Sequence, residues 1–223
     1  MRSICRYIPW LSLLPFCIPF ASAQSAIDVN VGFGGAWASA NKSGIDNANS
    51  VTNAFGSCTP GGADRNCQAL PTLNSFFLGF GGDVMFKPKL GVGFNYIVQP
   101  AKSDYGPLQD RQAFYDFNAV YRPLQTKRAA LNLEAGIGGA RTSFSITQSA
   151  CVGTAVCTSQ ASSLGTASHF QEHVGVGVQL FLTEHIFVRP QFDVHFVNGF
   201  TDQFGRNVVP SAMIWVGYNL GSK

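Results

Sequence analysis

From Ile27 to Trp37 every odd position is apolar or glycine: Ile27, Val29, Val31, Phe33, Gly35, Trp37. The positions between them are polar or small. Successive side chains of an extended chain point to opposite faces, so this period of two predicts a strand with two chemically different faces. The pattern returns seven more times. The apolar sets are centred on Phe76–Phe86, Leu90–Val98, Ala113–Tyr121, Ala129–Gly139, Phe170–Leu182, Ile186–Phe196 and Pro210–Leu220. Strands of about 10–15 residues are expected, enough to cross a bilayer when tilted. Pro190 falls where a ladder N–H is needed and predicts a bulge there.

The second faces decide what surrounds the chain. They carry Asp28, Asp83, Asp116, Arg122, Glu134, Arg189 and Asp193, whereas the apolar faces carry one charge, Glu172. They are also rich in glycine (Gly79, Gly81, Gly91, Gly93, Gly136, Gly138, Gly175, Gly177) and poor in lysine. A soluble sandwich would hide its apolar face and turn lysine, glutamate and threonine to water. Here the polar face suits a crowded lumen, and the large aromatic face needs lipid. Short connections at Lys87-Pro88-Lys89, 123–128 and 183–185 alternate with long ones at 39–71, 100–111, 142–166 and 197–209. The reading is all-β: an eight-stranded antiparallel up-and-down transmembrane β-barrel. An even strand count puts both termini on the periplasmic side and the long loops outside. Closure removes the sheet edges that lipid would not tolerate.

Composition narrows the picture. Of 223 residues 12% are charged and 13% aromatic, too apolar for a disordered chain. No run of about 18 apolar residues follows residue 23, so no spanning helix is expected. Arg2 and Arg6, the apolar stretch 7–20 and Ala21-Ser22-Ala23 predict a signal peptide over 1–23, leaving a barrel domain over 24–223. A lipoprotein anchor at Cys17 is disfavoured by bulky Phe16. The net charge of +3 falls when the two signal arginines leave, which gives nucleic-acid binding no support. Cys58 and Cys67 lie close together, as do Cys151 and Cys157, in loop-like surroundings. Export to an oxidising compartment makes disulfides Cys58–Cys67 and Cys151–Cys157 the expected pairing. A zinc site would want CxxC spacing or nearby histidines, and these cysteines have neither.

With a signal segment, eight amphipathic strands and alternating loops, residues 26–220 resemble the small outer-membrane β-barrels of the OmpA/OmpX/OmpW type. The resemblance implies residence in the outer membrane of a Gram-negative-type bacterium. It also implies contact with outer-membrane lipid and lipopolysaccharide, and insertion by the barrel-assembly machinery. It names no partner for the extracellular loops.

Strings that suggest chemistry have plainer readings. His169-Phe170-Gln171-Glu172-His173 matches an inverted zinc-protease motif that needs a helix. On a strand its histidines stand about 13 Å apart, too far for one metal, and they read as two wet residues near the extracellular rim. Gly32–Gly35 and Gly136–Gly139 lack the following lysine and helix of a phosphate loop. There is no G-x-S-x-G string, and adjacent Ser168 and His169 face opposite sides of a strand. No catalytic, cofactor or metal residues are assigned, and no enzyme is expected. Unpaired charge in a narrow lumen is costly. Glu134 and Arg189 fall at similar heights one strand apart, so an ion pair between them, joined by Asp193 or Asp116, is expected to plug the barrel. The expected role is therefore structural or one of surface interaction. A narrow pore for small or hydrophobic solutes is the second reading, and a lipid A-modifying enzyme the third.

Overall fold

The computed structural model describes residues 26–38, 44–46, 56–58, 67–69, 72–105, 108–152 and 156–221. The expected signal peptide, 1–23, lies outside the described residues. Eight long strands form the body: β1 (Ala26–Ala38), β2 (Leu73–Lys87), β3 (Leu90–Val98), β4 (Leu108–Tyr121), β5 (Ala129–Val152), β6 (Val156–Phe181), β7 (Ile186–Val197) and β8 (Val208–Asn219). Each pairs antiparallel with its neighbour in sequence, and β1 pairs with β8 through Asp28↔Asn219 to Ala36↔Ser211. The sheet is thus a closed eight-stranded barrel. Short turns at Pro88–Lys89, 122–128 and 182–185 share one end with the first residues of β1 and the last of β8.

The barrel is inverted relative to a soluble one. Val31, Phe117 and Ile137 on the outer face are 64%, 62% and 57% exposed, while Asp28 and Arg189 on the inner face are fully buried. The alternation that built each strand has placed apolar side chains outside and charges inside.

The structure departs from the sequence expectation in four places. Residues 142–166 were expected as a loop. Instead β5 and β6 run on for 24 and 26 residues as one hairpin. β4 accompanies it only as far as Leu108↔Ile146, and beyond that β5 and β6 pair with each other alone. The segment is polar, yet Thr142, Thr147 and Val152 favour extended backbone, and no glycine or proline interrupts it before Gly153. Polarity there reflects departure from lipid rather than departure from a strand.

Second, no bulge marks Pro190. It pairs with Ile214 on β8, and toward β6 the register is unchanged between Gly177↔Gln191 and Leu180↔Val188. The two intervening pairs are simply missing, as a residue without an N–H requires. A register shift occurs instead between Met85 and Lys87, at the β2–β3 turn.

Third, β4 begins at Leu108, so Asp110 joins the inward carboxylates. Fourth, the lumen is not polar throughout. Toward the long-loop end Leu73, Phe77, Phe114, Val197, Val209 and Trp215 form a buried apolar layer. It is completed by Phe200 and Phe204 of a connection holding one short helix, α1 (Thr201–Phe204). Glycine makes room for it. A Cβ at Gly32 or Gly79 would stand 2.5 or 2.6 Å from the Trp215 ring.

The other long connections carry short strands. Ser103–Tyr105 pairs with the start of β4. Gly44–Asp46 is flanked by Gly56–Cys58 on one side and Cys67–Ala69 on the other.

A buried charge network as the candidate functional site

Inward positions of all eight strands, with Arg122 just past β4, converge on one network. Arg122 bonds Asp28 of β1 through one terminal nitrogen and lies 3.4 Å from Asp83 of β2, while its Nε donates to Asn132 Oδ1 at 3.0 Å. Asn219 of β8 also donates to Asp28. Arg189 of β7 reaches Asp83 at 2.7 Å and Glu134 of β5 at 3.3 Å. Its guanidinium sits 5.9 Å from the Trp215 ring, joining the charged layer to the apolar one. Two arginines thus tie together β1, β2, β5, β7 and the β4–β5 turn across the lumen. Their side chains are fully buried or nearly so. In such surroundings a charge persists only if paired and hydrogen-bonded.

Three of the four lumen residues singled out in the sequence are linked. Glu134 and Arg189 stand 3.3 Å apart, and Arg189 makes its shorter contact with Asp83. Gln191 donates to both Glu134 Oε2 (3.2 Å) and Asp193 Oδ1 (2.8 Å), linking Asp193 to the pair. Asp116 stands apart from that group: it accepts from Gln171 Nε2 at 2.6 Å and lies 3.8 Å from His195. Asp28, Asp83 and Arg122 pair straight across the lumen, a contact that heights compared between neighbouring ascending strands do not reveal.

One histidine also lies deeper than expected. His173 is buried, 2% exposed, and is not a wet rim residue. Its Nε2 lies 3.0 Å from Asp193 Oδ1 and its Nδ1 3.0 Å from Asn118 Oδ1. Opposite it in the β6–β7 register is His195, and the two rings stack at 4.9 Å. His195 passed unnoticed, although its parity on β7 matches that of Asp193. His169 sits higher, its ring edge toward Phe200.

Asp116, His195 and Ser211 fall in the order carboxylate, imidazole, hydroxyl, at 3.8 and 3.2 Å. Ser211 is fully buried, with the layer of Phe114, Phe200 and Phe204 between this level and the long loops. A nucleophile must meet a substrate, and this hydroxyl faces none in the closed barrel.

The expected disulfide positions differ in register. Cys151 and Cys157 are direct partners in the β5–β6 ladder, the separation a cross-strand bridge uses. Cys58 and Cys67 stand on the two outer strands of the small sheet, with Gly44–Asp46 between them. Two ladder spacings of about 4.8 Å separate those strands.

No protein-family model matches the chain, and no curated protein matches it in sequence. Solved structures do. Ail, the attachment invasion locus protein of Yersinia pestis, solved with the heparin analogue sucrose octasulfate, is 12% identical with a TM-score of 0.50, covering 88% of this chain and 99% of that one. The N-terminal β-barrel domain of Pseudomonas aeruginosa OprF is 13% identical, TM-score 0.44, over 89% and 98%. The outer membrane enzyme PagL is 13% identical, TM-score 0.37, over 85% and 97%. The likeness is one of fold: this chain has the architecture of the small eight-stranded outer-membrane barrels.

Proposed function

We propose that the protein is an integral outer-membrane barrel whose lumen is sealed and whose work is done at its outer surface. It is exported by a signal segment over 1–23. Its termini face the periplasm and its long connections face outward, in contact with lipopolysaccharide. The observation that carries this reading is the double closure of the lumen. A charge network bridges the strands at the level of Arg122 and Arg189, and an apolar layer of Phe77, Phe114, Phe200 and Phe204 lies above it. An eight-stranded barrel is just wide enough for side chains to fill, and here they do. The β5–β6 hairpin supports a surface role, because it continues past its last neighbour and presents a two-stranded arm beyond the rim.

Outer-membrane fractionation with heat-modifiable mobility in SDS gels tests barrel and location together. Planar-bilayer recording tests the seal. Wild type is expected to pass almost no current, and Arg189→Ala to add only brief openings that favour cations, since the apolar layer above remains. A large steady wild-type current, unchanged by that substitution, would replace the sealed barrel by a pore.

A further inference from the structure

Two carboxylates of the sealed lumen are left over once the arginines have been paired. Asp28, Asp83 and Glu134 each contact Arg122 or Arg189. Asp116 and Asp193 do not. Among the described residues, their ion-pair partners are the histidines alone: His195 for Asp116 at 3.8 Å and His173 for Asp193 at 3.0 Å. We propose that Asp116, His173 and His195 form a binding site for a divalent transition metal of the zinc class, inside the barrel between the charge network and the apolar layer.

The geometry supports this in three ways. First, each of the three offers one donor atom, the donors lie within 4.8 Å of one another, and all three residues are buried. Tetrahedral zinc with bonds of about 2.0–2.1 Å holds its ligands some 3.3–3.4 Å apart. Bringing both imidazole lone pairs onto one ion requires the stacked rings of His173 and His195 to turn relative to one another. Second, His195 Nδ1 is buried with no hydrogen-bond partner and lies 3.8 Å from Asp116 Oδ2. That is too long for a hydrogen bond, and it leaves the lone pair aimed at the carboxylate with space for an ion between them.

Third, the surrounding groups fix the ligands as outer partners of metal-bound histidines do. His195 Nε2 faces Ser211 Oγ at 3.2 Å, and His173 Nε2 faces Asp193 Oδ1 at 3.0 Å. The Asp193 carboxylate holds a proton on His173 Nε2, and His195 Nδ1, which has no hydrogen-bond partner, is free to bind an ion. Gln171 anchors Asp116 Oδ1 at 2.6 Å, leaving Oδ2 for the ion. Asn118 Oδ1 accepts from His173 Nδ1 at 3.0 Å; an ion bound at that nitrogen takes the place of the proton, with the amide oxygen close enough to join the coordination sphere. Two imidazoles, a carboxylate and an amide oxygen suit zinc, copper or nickel better than calcium or magnesium. A dication also offsets the two carboxylates that lack an arginine. The H-x-x-E-H string contributes only its last histidine. The partner of that histidine is on the next strand, at the same height.

The test uses the full barrel refolded in detergent with one equivalent of zinc or cobalt(II), so that metal need not cross the closed lumen. Folding is checked by heat-modifiable mobility. Wild type is expected to retain about one ion through desalting, with visible cobalt bands and two imidazoles in the zinc X-ray absorption spectrum. His195→Gln and Asp116→Asn should each weaken binding at least tenfold. Asp193→Asn, which acts by positioning His173, should weaken it by roughly 10–100-fold. His169→Ala and His185→Ala should bind as wild type. Folded wild type without retained metal, or with fewer than two imidazoles on it, would overturn the site. So would binding lost in His169→Ala or His185→Ala and kept in His195→Gln. The absorption spectrum needs no variant, so a misfolding substitution leaves the question answerable. Conductance is unaffected by this outcome, so the sealed-barrel reading stands or falls separately.

Discussion

At the scale of single residues, the two inner arginines carry the largest predictable effects. Arg189 faces Asp83 and Glu134 with no water-exposed surface. Removing one partner of a buried pair typically costs about 3–5 kcal/mol, because the charge left behind keeps its desolvation penalty. Arg189→Met is expected to lose that much in urea unfolding from lipid vesicles. Neutralising the partners together, as Arg189→Met/Asp83→Asn/Glu134→Gln, should recover most of it. A triple variant no better than the single one would mean that packing by the guanidinium, rather than charge, is what the site requires. On the outer face the relevant solvent is hydrocarbon. Val176 points into it at 43% exposure, and Val176→Arg is expected to cost ~2–4 kcal/mol if it lies near the midplane. Its inward neighbour Gly177 differs: a Cβ there meets the flexible Arg189 chain at 3.2 Å. Gly177→Ser should therefore cost clearly less, and equal losses would mean that β6 faces the other way.

At the scale of elements, the period of two made the eight strands legible, because lipid outside and a narrow lumen inside impose opposite chemistry on alternate residues. The same logic failed where lipid ends. Residues 142–166 lose their apolar face on leaving the bilayer, and a strand without that face resembles a loop in sequence. Phe200 and Phe204 were illegible for the converse reason. They belong to a connection that folds back into the barrel mouth, and no periodicity announces such a return. His195 was legible by parity with Asp193, but its pairing with His173 runs across two strands, whereas the string His169–His173 lies along one. The hairpin arm carries its own prediction. Deleting 148–160 with a short turn in its place should leave heat-modifiable mobility intact, because β5 has lost its β4 neighbour beyond Ile146. Cys151→Ser/Cys157→Ser should insert normally and raise protease cleavage within the arm. Failure of either variant to insert would make the arm part of the folding core.

At the scale of the whole molecule, the barrel is an inside-out core: a polar and aromatic interior small enough to be filled, wrapped by strands whose outer faces are matched to hydrocarbon. Its two interior layers divide the labour. The charged layer joins strands far apart in sequence, and the apolar layer closes the mouth with a connection that crosses no membrane. Weakening the upper layer alone, by Phe200→Ser/Phe204→Ser, is expected to leave bilayer current near zero, because the arginine layer beneath is intact. Combined with Arg189→Ala it should give sustained cation current. Current from the phenylalanine variant alone would shift the seal to the upper layer.

The pairing of β1 with β8 has a consequence in time. Asn219 bonds Asp28 across 191 positions of chain, and the Leu220 N–H donates to Ile27 O. The seam that completes the cylinder joins the first strand to the last, so its formation waits for the slowest loop to close. Until then both edge strands carry unpaired backbone groups that hydrocarbon cannot satisfy. Insertion and closure are therefore one cooperative event, with a barrier set by the longest-range contact in the chain. Asn219→Ala, which weakens the seam without touching a membrane-facing residue, should slow the appearance of the compact gel band more than it shifts the unfolding midpoint. A shift confined to the midpoint would mean that the seam closes only after the barrier has been crossed.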